Sequence, residues 1–183
     1  IANAAGTVKD PAGFKELLRS GVTAITIGSI TLEPRAGNTG ETYYHHAQGQ
    51  WSLNSLSMPN QGITKLLGWL PELRELAIKA EIELRVSVAG FEPQEYAELA
   101  GVLTRNGVDD VELNLGCPNV WGSDGQQKPI PSYSPELVSE ILKQVRSAIP
   151  KDARVSVKLS PVESFSTLCL LARFISQSNV VSR

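Results

Sequence analysis

Residues 110–119 read DVELNLGCPN. The first six, Asp110 to Leu115, form a short run with apolar residues at Val111, Leu113 and Leu115. It is too short for an ordinary helix and reads as a strand. Polar groups and a thiol then crowd its C-terminal end, at Asn114, Gly116, Cys117, Pro118 and Asn119. In barrels of alternating strands and helices, that end of the strand is where active sites lie.

On both sides of this stretch the chain alternates between strand-like and helix-like segments. Upstream, the pattern predicts a helix from Pro93 to Asn106 with Pro93 in its first turn, and a strand from Leu84 to Ala89. Before these come a helix from Ile63 to Ala80 and a β-branched run bounded by glycines from Val22 to Ile27. Phe14, Leu17 and Leu18 fall at helical spacing between Asp10 and Ser20, with Gly21 as a stop signal, and Ile1 to Ala4 counts as a first strand. Downstream, Ser134 caps a helix from Pro135 to Ile149, Val155 to Leu159 is strand, and Glu163 to Ser176 is helix. Parallel neighbours need a crossover long enough to hold a helix, so this alternation implies a parallel sheet.

The expected class is therefore α/β, a (β/α)8 TIM barrel present as roughly its first five βα units. Its strands are expected to be apolar on both faces, with helices on one side and the barrel interior on the other. A closed barrel of this kind takes about 250 residues. Residues 1–183 are thus expected to form one barrel domain that is incomplete at its C-terminus.

Composition narrows the chemistry. A net charge of -2 and a pI near 5.8 supply no global basic field for nucleic acid or anionic lipid, so a small-molecule partner is the expectation. Two cysteines, Cys117 and Cys169, are too few for a disulfide framework, and no spacing suggests a metal site, His45 and His46 reading as loop residues. No apolar run approaches the roughly 20 residues of a membrane span. A soluble, cytoplasmic protein is expected, associating as a homo-oligomer or lacking a C-terminal segment.

Two further segments depart from what packing alone would choose. Lys158 lies inside the apolar strand Val155 to Leu159, where a long cation is costly to bury unless an anion pairs with it. The run Asn54-Ser55-Leu56-Ser57-Met58-Pro59-Asn60 is a polar loop whose peptide and amide groups suit a planar ligand. Taken singly, each has an ordinary explanation: a strand-end cysteine is commonly a small buried hydrophobe, a strand lysine often reaches for solvent, and an asparagine-rich loop is often turn chemistry. The stretch Trp121 to Tyr133, rich in Gly, Gln and Pro, reads equally as a lid or a surface loop.

Six segments together, in order along the chain, resemble the dihydroorotate dehydrogenase family. They are Asn3 to Gly6; Gly28 to Arg35 followed by Gly37-Asn38; Ser52 to Ser55 with Pro59-Asn60; Val88 to Phe91; Glu112 to Val120; and Val157 to Pro161. The resemblance implies oxidation of dihydroorotate to orotate with FMN, in pyrimidine biosynthesis. It puts the family's proton-abstracting base on Cys117. It implies that Asn54, Asn114 and Asn119 hydrogen-bond the pyrimidine, and that the backbone of Leu56, Ser57 and Met58 cradles its carboxylate. Ala5, Gly6 and Ser29 correspond to flavin contacts, and Lys158 to the lysine beside the flavin ring.

The chain departs from the family at several places. Members of the cytosolic class usually carry a lysine where this chain has Gly28, while the membrane-associated class has glycine there and a lysine at the place of Lys9. Lys9 accordingly joins the expected cofactor contacts. Thr39 to Thr42 replaces a segment usually rich in proline and arginine, and Ser57 stands where glycine is usual. A related flavoenzyme acting on another pyrimidine, and a non-catalytic barrel fragment completed by a partner chain, are the alternatives.

Overall fold

The computed structural model describes residues 1–118, 120–121 and 126–181. Four parallel strands make one sheet: β1 (Ala24–Ile30), β4 (Glu83–Val88), β5 (Asp110–Asn114) and β6 (Val155–Lys158), adjacent in that order. A helix follows each strand, α2 (Gly62–Lys79), α3 (Pro93–Arg105), α4 (Pro135–Ala148) and α5 (Phe165–Gln177), while α1 (Pro11–Leu17) precedes the first. The architecture is a partial (β/α) barrel. Between β1 and α2 the strands β2 (Tyr43–His45) and β3 (Ser52–Asn54) form an exposed antiparallel hairpin. His45 is therefore a strand residue rather than a loop residue, while His46 stacks on Trp51 at 5.0 Å between ring centroids.

The element boundaries have local causes. Asp10 caps α1 by accepting from Gly13 N at 2.8 Å, and Ser134 caps α4 by accepting from Leu137 N at 3.3 Å. After α1 the chain makes one 3-10 turn and stops at Gly21, whose φ is +72°. The buried residues of α2, namely Leu66, Leu70, Leu73 and Ala77, recur at helical spacing and face the sheet, as do Val138, Ile141, Leu142 and Val145 of α4.

Three further expectations are corrected. Ile1 to Ala4 is not a strand: the N-terminal segment meets β1 through the isolated bridges Ala2↔Ala24 and Val8↔Ile27 and through separate hydrogen bonds, not a continuous ladder. The reason is Asn3, whose side chain does part of a ladder's work, accepting from Thr26 N and donating to Thr26 O, both at 2.8 Å. Second, β1 does not end at the glycine but runs on through Gly28 to Ile30. The Gly28 N–H donates to Val8 O at 3.1 Å and its carbonyl accepts from Gly6 N at 2.7 Å, so pairing continues.

Third, the strands are apolar on one face only. Register places Ile25, Ile27, Leu84, Val86, Val88, Val111, Leu113, Val155 and Val157 together on the helix side. Thr26, Arg85, Ser87, Asp110, Glu112, Asn114, Ser156 and Lys158 share the other face. The inner side of the sheet is thus lined with hydrogen-bonding and charged groups. An irregularity between Ile27 and Ile30 inserts one extra residue, which keeps both isoleucines on the helix side.

At the N-terminal end of the sheet this inner face carries an ion cluster. Glu83 bonds both Arg85 and Arg154, the latter at 2.9 Å. The Arg85 hydrogen bond above all, then Arg154, lowers the Glu83 carboxyl from its usual value near 4.5 to about 2, against the opposing effect of burial. A carboxyl depressed on folding adds stability that is complete above its unfolded value and is lost as pH falls towards the folded one. Urea unfolding of the wild type should therefore show stability falling between about pH 5 and 2, and Glu83→Gln should flatten that slope while being less stable at pH 7. Parallel pH profiles for the two proteins would refute the assignment.

Candidate active site

The C-terminal ends of the strands open into a cleft of about 410 Å³. It is lined by Ala5, Gly6, Thr7, Lys9, Ser29, Asn54, Leu56, Ser57, Met58, Pro59, Asn114, Cys117, Pro118 and Lys158. Every residue expected from the sequence to form the site lies in this wall except Asn119, which falls outside the described residues. The expected lid, Trp121 to Tyr133, is described only in part. Its far end is anchored, because buried Ser132 donates to Leu115 O at 2.7 Å and accepts from Ser160 N at 3.1 Å.

Cys117 follows β5 by a turn that only a glycine permits at Gly116, where an added Cβ would stand 2.6 Å from Ser160 N. The thiol is free and half-buried. Asn114, at the end of β5, is held on several sides. Its carbonyl accepts from the buried Tyr96 hydroxyl at 3.0 Å, its Oδ1 accepts from Gly116 N at 3.2 Å, and its Nδ2 donates to Ser29 Oγ at 2.8 Å. Burial raises the Tyr96 phenol to about 12, so it stays a donor throughout the physiological range.

The wall opposite Cys117 is a strained loop. Ser57 and Met58 have φ of +57° and +55°, a conformation that costs of order 1–3 kcal/mol for a residue with a side chain. Neighbouring asparagines impose it. Asn60 is buried, donating to Met58 O at 2.9 Å and accepting from Gly62 N at 2.8 Å, while Asn38 donates to Ser55 O at 2.7 Å. Met58 Sδ lies 3.7 Å from Asn114 Nδ2, tying the loop to β5. The Ser57 hydroxyl is buried with no hydrogen-bond partner among the described residues.

Charge is concentrated on one side of the cleft. Lys158 pairs with Glu112 at 2.9 Å across β5 and β6. Lys9 forms no ion pair among the described residues. Burial above all, then the charge of Lys158, pulls the Lys9 ammonium below its usual value, with Cys117 acting the other way. Two lysines facing one cavity, of which only Lys158 is paired with a carboxylate among the described residues, favour an anionic or electron-accepting ligand. Glu112 and Tyr96 escaped the sequence reading. The strand-face alternation of Asp110, Glu112 and Asn114 was the signal for the first, but nothing in the sequence marks the second.

Gly28 explains why no lysine stands in its place. Its φ is +122°, and an added Cβ would meet Ser87 O at 2.3 Å. The backbone of β4 fills that space, and the cleft takes its second ammonium from Lys9 instead.

A parallel α/β sheet with a thiol, amides and lysines at its C-terminal edge defines a barrel-enzyme type of site. The chain belongs to the dihydroorotate dehydrogenase family, whose profile matches residues 1–179. It is 36% identical over 149 residues to a protein of Endomicrobium trichonymphae named dihydroorotate dehydrogenase B (NAD(+)), catalytic subunit, covering 79% of this chain and 44% of the relative. A protein of the same name from Desulforudis audaxviator is 31% identical over 180 residues, 94% of this chain and 53% of the relative. A dihydroorotate dehydrogenase (fumarate) of Lachancea kluyveri is 31% identical over 163 residues, 88% of this chain and 49% of the relative. The chain spans about half the length of the curated relatives it matches.

Gly28→Ala is expected to cost about 2 kcal/mol or more, from the clash with β4 and the positive φ together. Urea denaturation measures it. A loss below about 0.5 kcal/mol would show that β4 yields at this point and that the space for a lysine exists.

Proposed function

We propose that the cleft binds FMN and a dihydropyrimidine, and that the chain supplies the catalytic half of an enzyme oxidising dihydroorotate to orotate in pyrimidine biosynthesis. The observation that carries this reading is the gathering of Cys117, Asn54, Asn114, the Leu56–Met58 backbone and two lysines around one cavity. Among the described residues no helix is long and apolar enough to cross a membrane, and the proposed setting is the cytoplasm.

The residues present suit the cofactor. Beside Gly6 an added Cβ would meet nothing within 4 Å, so the backbone there is open to a flat ring, and Lys9 and Lys158 offer positive charge to its electron-accepting end. When bound, FMN supplies the acceptor for the hydride that leaves the substrate. The phosphate of FMN would be held by loops after later barrel strands, as is common in such barrels.

The chain's own groups do the rest. Cys117 takes the proton from the ring carbon next to the one that gives up the hydride, so proton and hydride leave together or in succession and a C=C bond forms. The amides of Asn54 and Asn114 hold the planar ring without placing a competing charge beside the base. The strained Leu56–Met58 turn presents peptide N–H groups to the substrate carboxylate. A different dihydropyrimidine is the second reading, favoured by the buried Ser57 hydroxyl, which has no partner among the described residues and stands where the family usually has glycine.

Cys117→Ala should keep FMN and still bind orotate, yet slow flavin bleaching by dihydroorotate about 10²- to 10⁴-fold, the usual cost of losing a positioned base. Cys117→Ser should recover part of the rate at raised pH. Single-turnover absorbance across a pH series is the measurement, and an alanine variant that bleaches at the wild-type rate removes Cys117 from the chemistry.

A further inference from the structure

Behind the cleft wall a chain of hydrogen bonds runs from Asn114 to Lys158. Asn114 Nδ2 donates to Ser29 Oγ at 2.8 Å, and Ser29 and Ser87 hydroxyls are 2.9 Å apart. Ser87 Oγ donates to Glu112 Oε1 at 2.8 Å, and Lys158 Nζ donates to the same oxygen at 2.9 Å. Ser87 is fully buried, and neither it nor Glu112 lines the cleft.

Elementary valence fixes the direction of every link. An ionised carboxylate only accepts, so the single Ser87 proton goes to Glu112. Ser87 must then accept from Ser29, which spends its own proton and must accept from Asn114. The amide of Asn114 is thereby turned with its nitrogen towards Ser29 and its oxygen towards the Gly116 N–H. Both contacts demand the same orientation. The far end of the chain is the Lys158 ammonium, held by the same oxygen.

We propose that Glu112 is a positioning residue of this site: as the common acceptor of a one-way chain it sets the orientation of the Asn114 amide and the place of the Lys158 ammonium. Through Ser87 and Ser29 it reaches the pyrimidine side, and through Lys158 directly the cofactor side. This rests on the functional reading above for what the two ends bind, but the chain itself does not.

Ser87→Ala separates the two branches, because it cuts the link to Asn114 and leaves Lys158 paired with Glu112. In the full-length flavin-loaded protein, orotate titration followed by the flavin spectrum should show a Kd raised about 5- to 10-fold, the usual worth of one hydrogen bond at a buried site. FMN content should be affected far less, since Lys158 keeps its partner. Glu112→Gln replaces a pure acceptor by a group that also donates, and should weaken both orotate and FMN binding.

A second readout needs no ligand. In flavin-free protein labelled on asparagine nitrogen, the Asn114 side-chain pair, identified by its loss in Asn114→Asp, should move in Ser87→Ala and in Glu112→Gln. An orotate Kd within twofold of wild type in Ser87→Ala, or an Asn114 resonance that stays put in both variants, overturns the proposal. A wild type that ignores orotate while the Asn114 resonance still responds overturns the substrate assignment and supports the positioning role.

Discussion

A long cation on the inner face of a sheet survives only with an anion against it, and the pairing of Lys158 with Glu112 at 2.9 Å meets that demand here. The two residues stand on neighbouring strands, one step apart in register, since Asn114 pairs with Lys158 and Glu112 with Ser156. Satisfying the cation therefore commits β5 to an alternation, with Asp110, Glu112 and Asn114 inward and Val111 and Leu113 towards the helices. Once β5 is committed, the pleat carries the same choice to β4 and β6. The apolar residues of every strand then fall on the helix side, where α2, α3 and α4 bury them.

That division of faces sets the character of the site. The barrel interior is a hydrogen-bonded lattice rather than a packed hydrocarbon core, and the cleft sits directly on it. Asn114 belongs to both, with one end of its amide in the lattice and its residue in the cleft wall. Rigid strands position the amide and the lysine, while the opposite wall is a loop forced into positive φ at Ser57 and Met58 by asparagines on either side. Strain of this kind persists only where the surroundings over-determine it, and it is a common feature of ligand-binding loops.

The mixture of class features in the chain has a steric root. Gly28 and Lys9 belong together: the backbone of β4 approaches Gly28 so closely that a side chain is excluded, and the ammonium enters from the segment after the N-terminal turn. Lys9 then shares the cleft with Lys158, and burial plus that neighbouring charge lowers its pKa. Of the two ammonium groups, Lys158 is the one paired with Glu112.

Much of this was legible in residue order. Helical spacing in 135–149, the β-branched run after Gly21 and the Ser134 cap are local signals, because propensity and capping act within a few residues; the match of residues 1–179 to one family extends that legibility to the fold, and the described residues expected to form the site line one cleft. The failures were all non-local. Ile1 to Ala4 looked like a strand, but Asn3 uses its side chain where a ladder would use backbone, and only the neighbouring strand reveals it. Apolar runs suggested strands buried alike on both faces, because a short segment does not say which neighbour its polar residues meet. Ser87 and Tyr96 carry no mark in the sequence and Glu112 only the alternation of its own strand, since each acts on a residue between 18 and 46 positions away. Sequence alone determined the alternation of the main strands and helices, the family and the residue types at the strand ends. Tertiary structure decided which polar groups share a proton network, because hydrogen-bond partners across parallel strands are chosen by register, and register exists only once the sheet has formed.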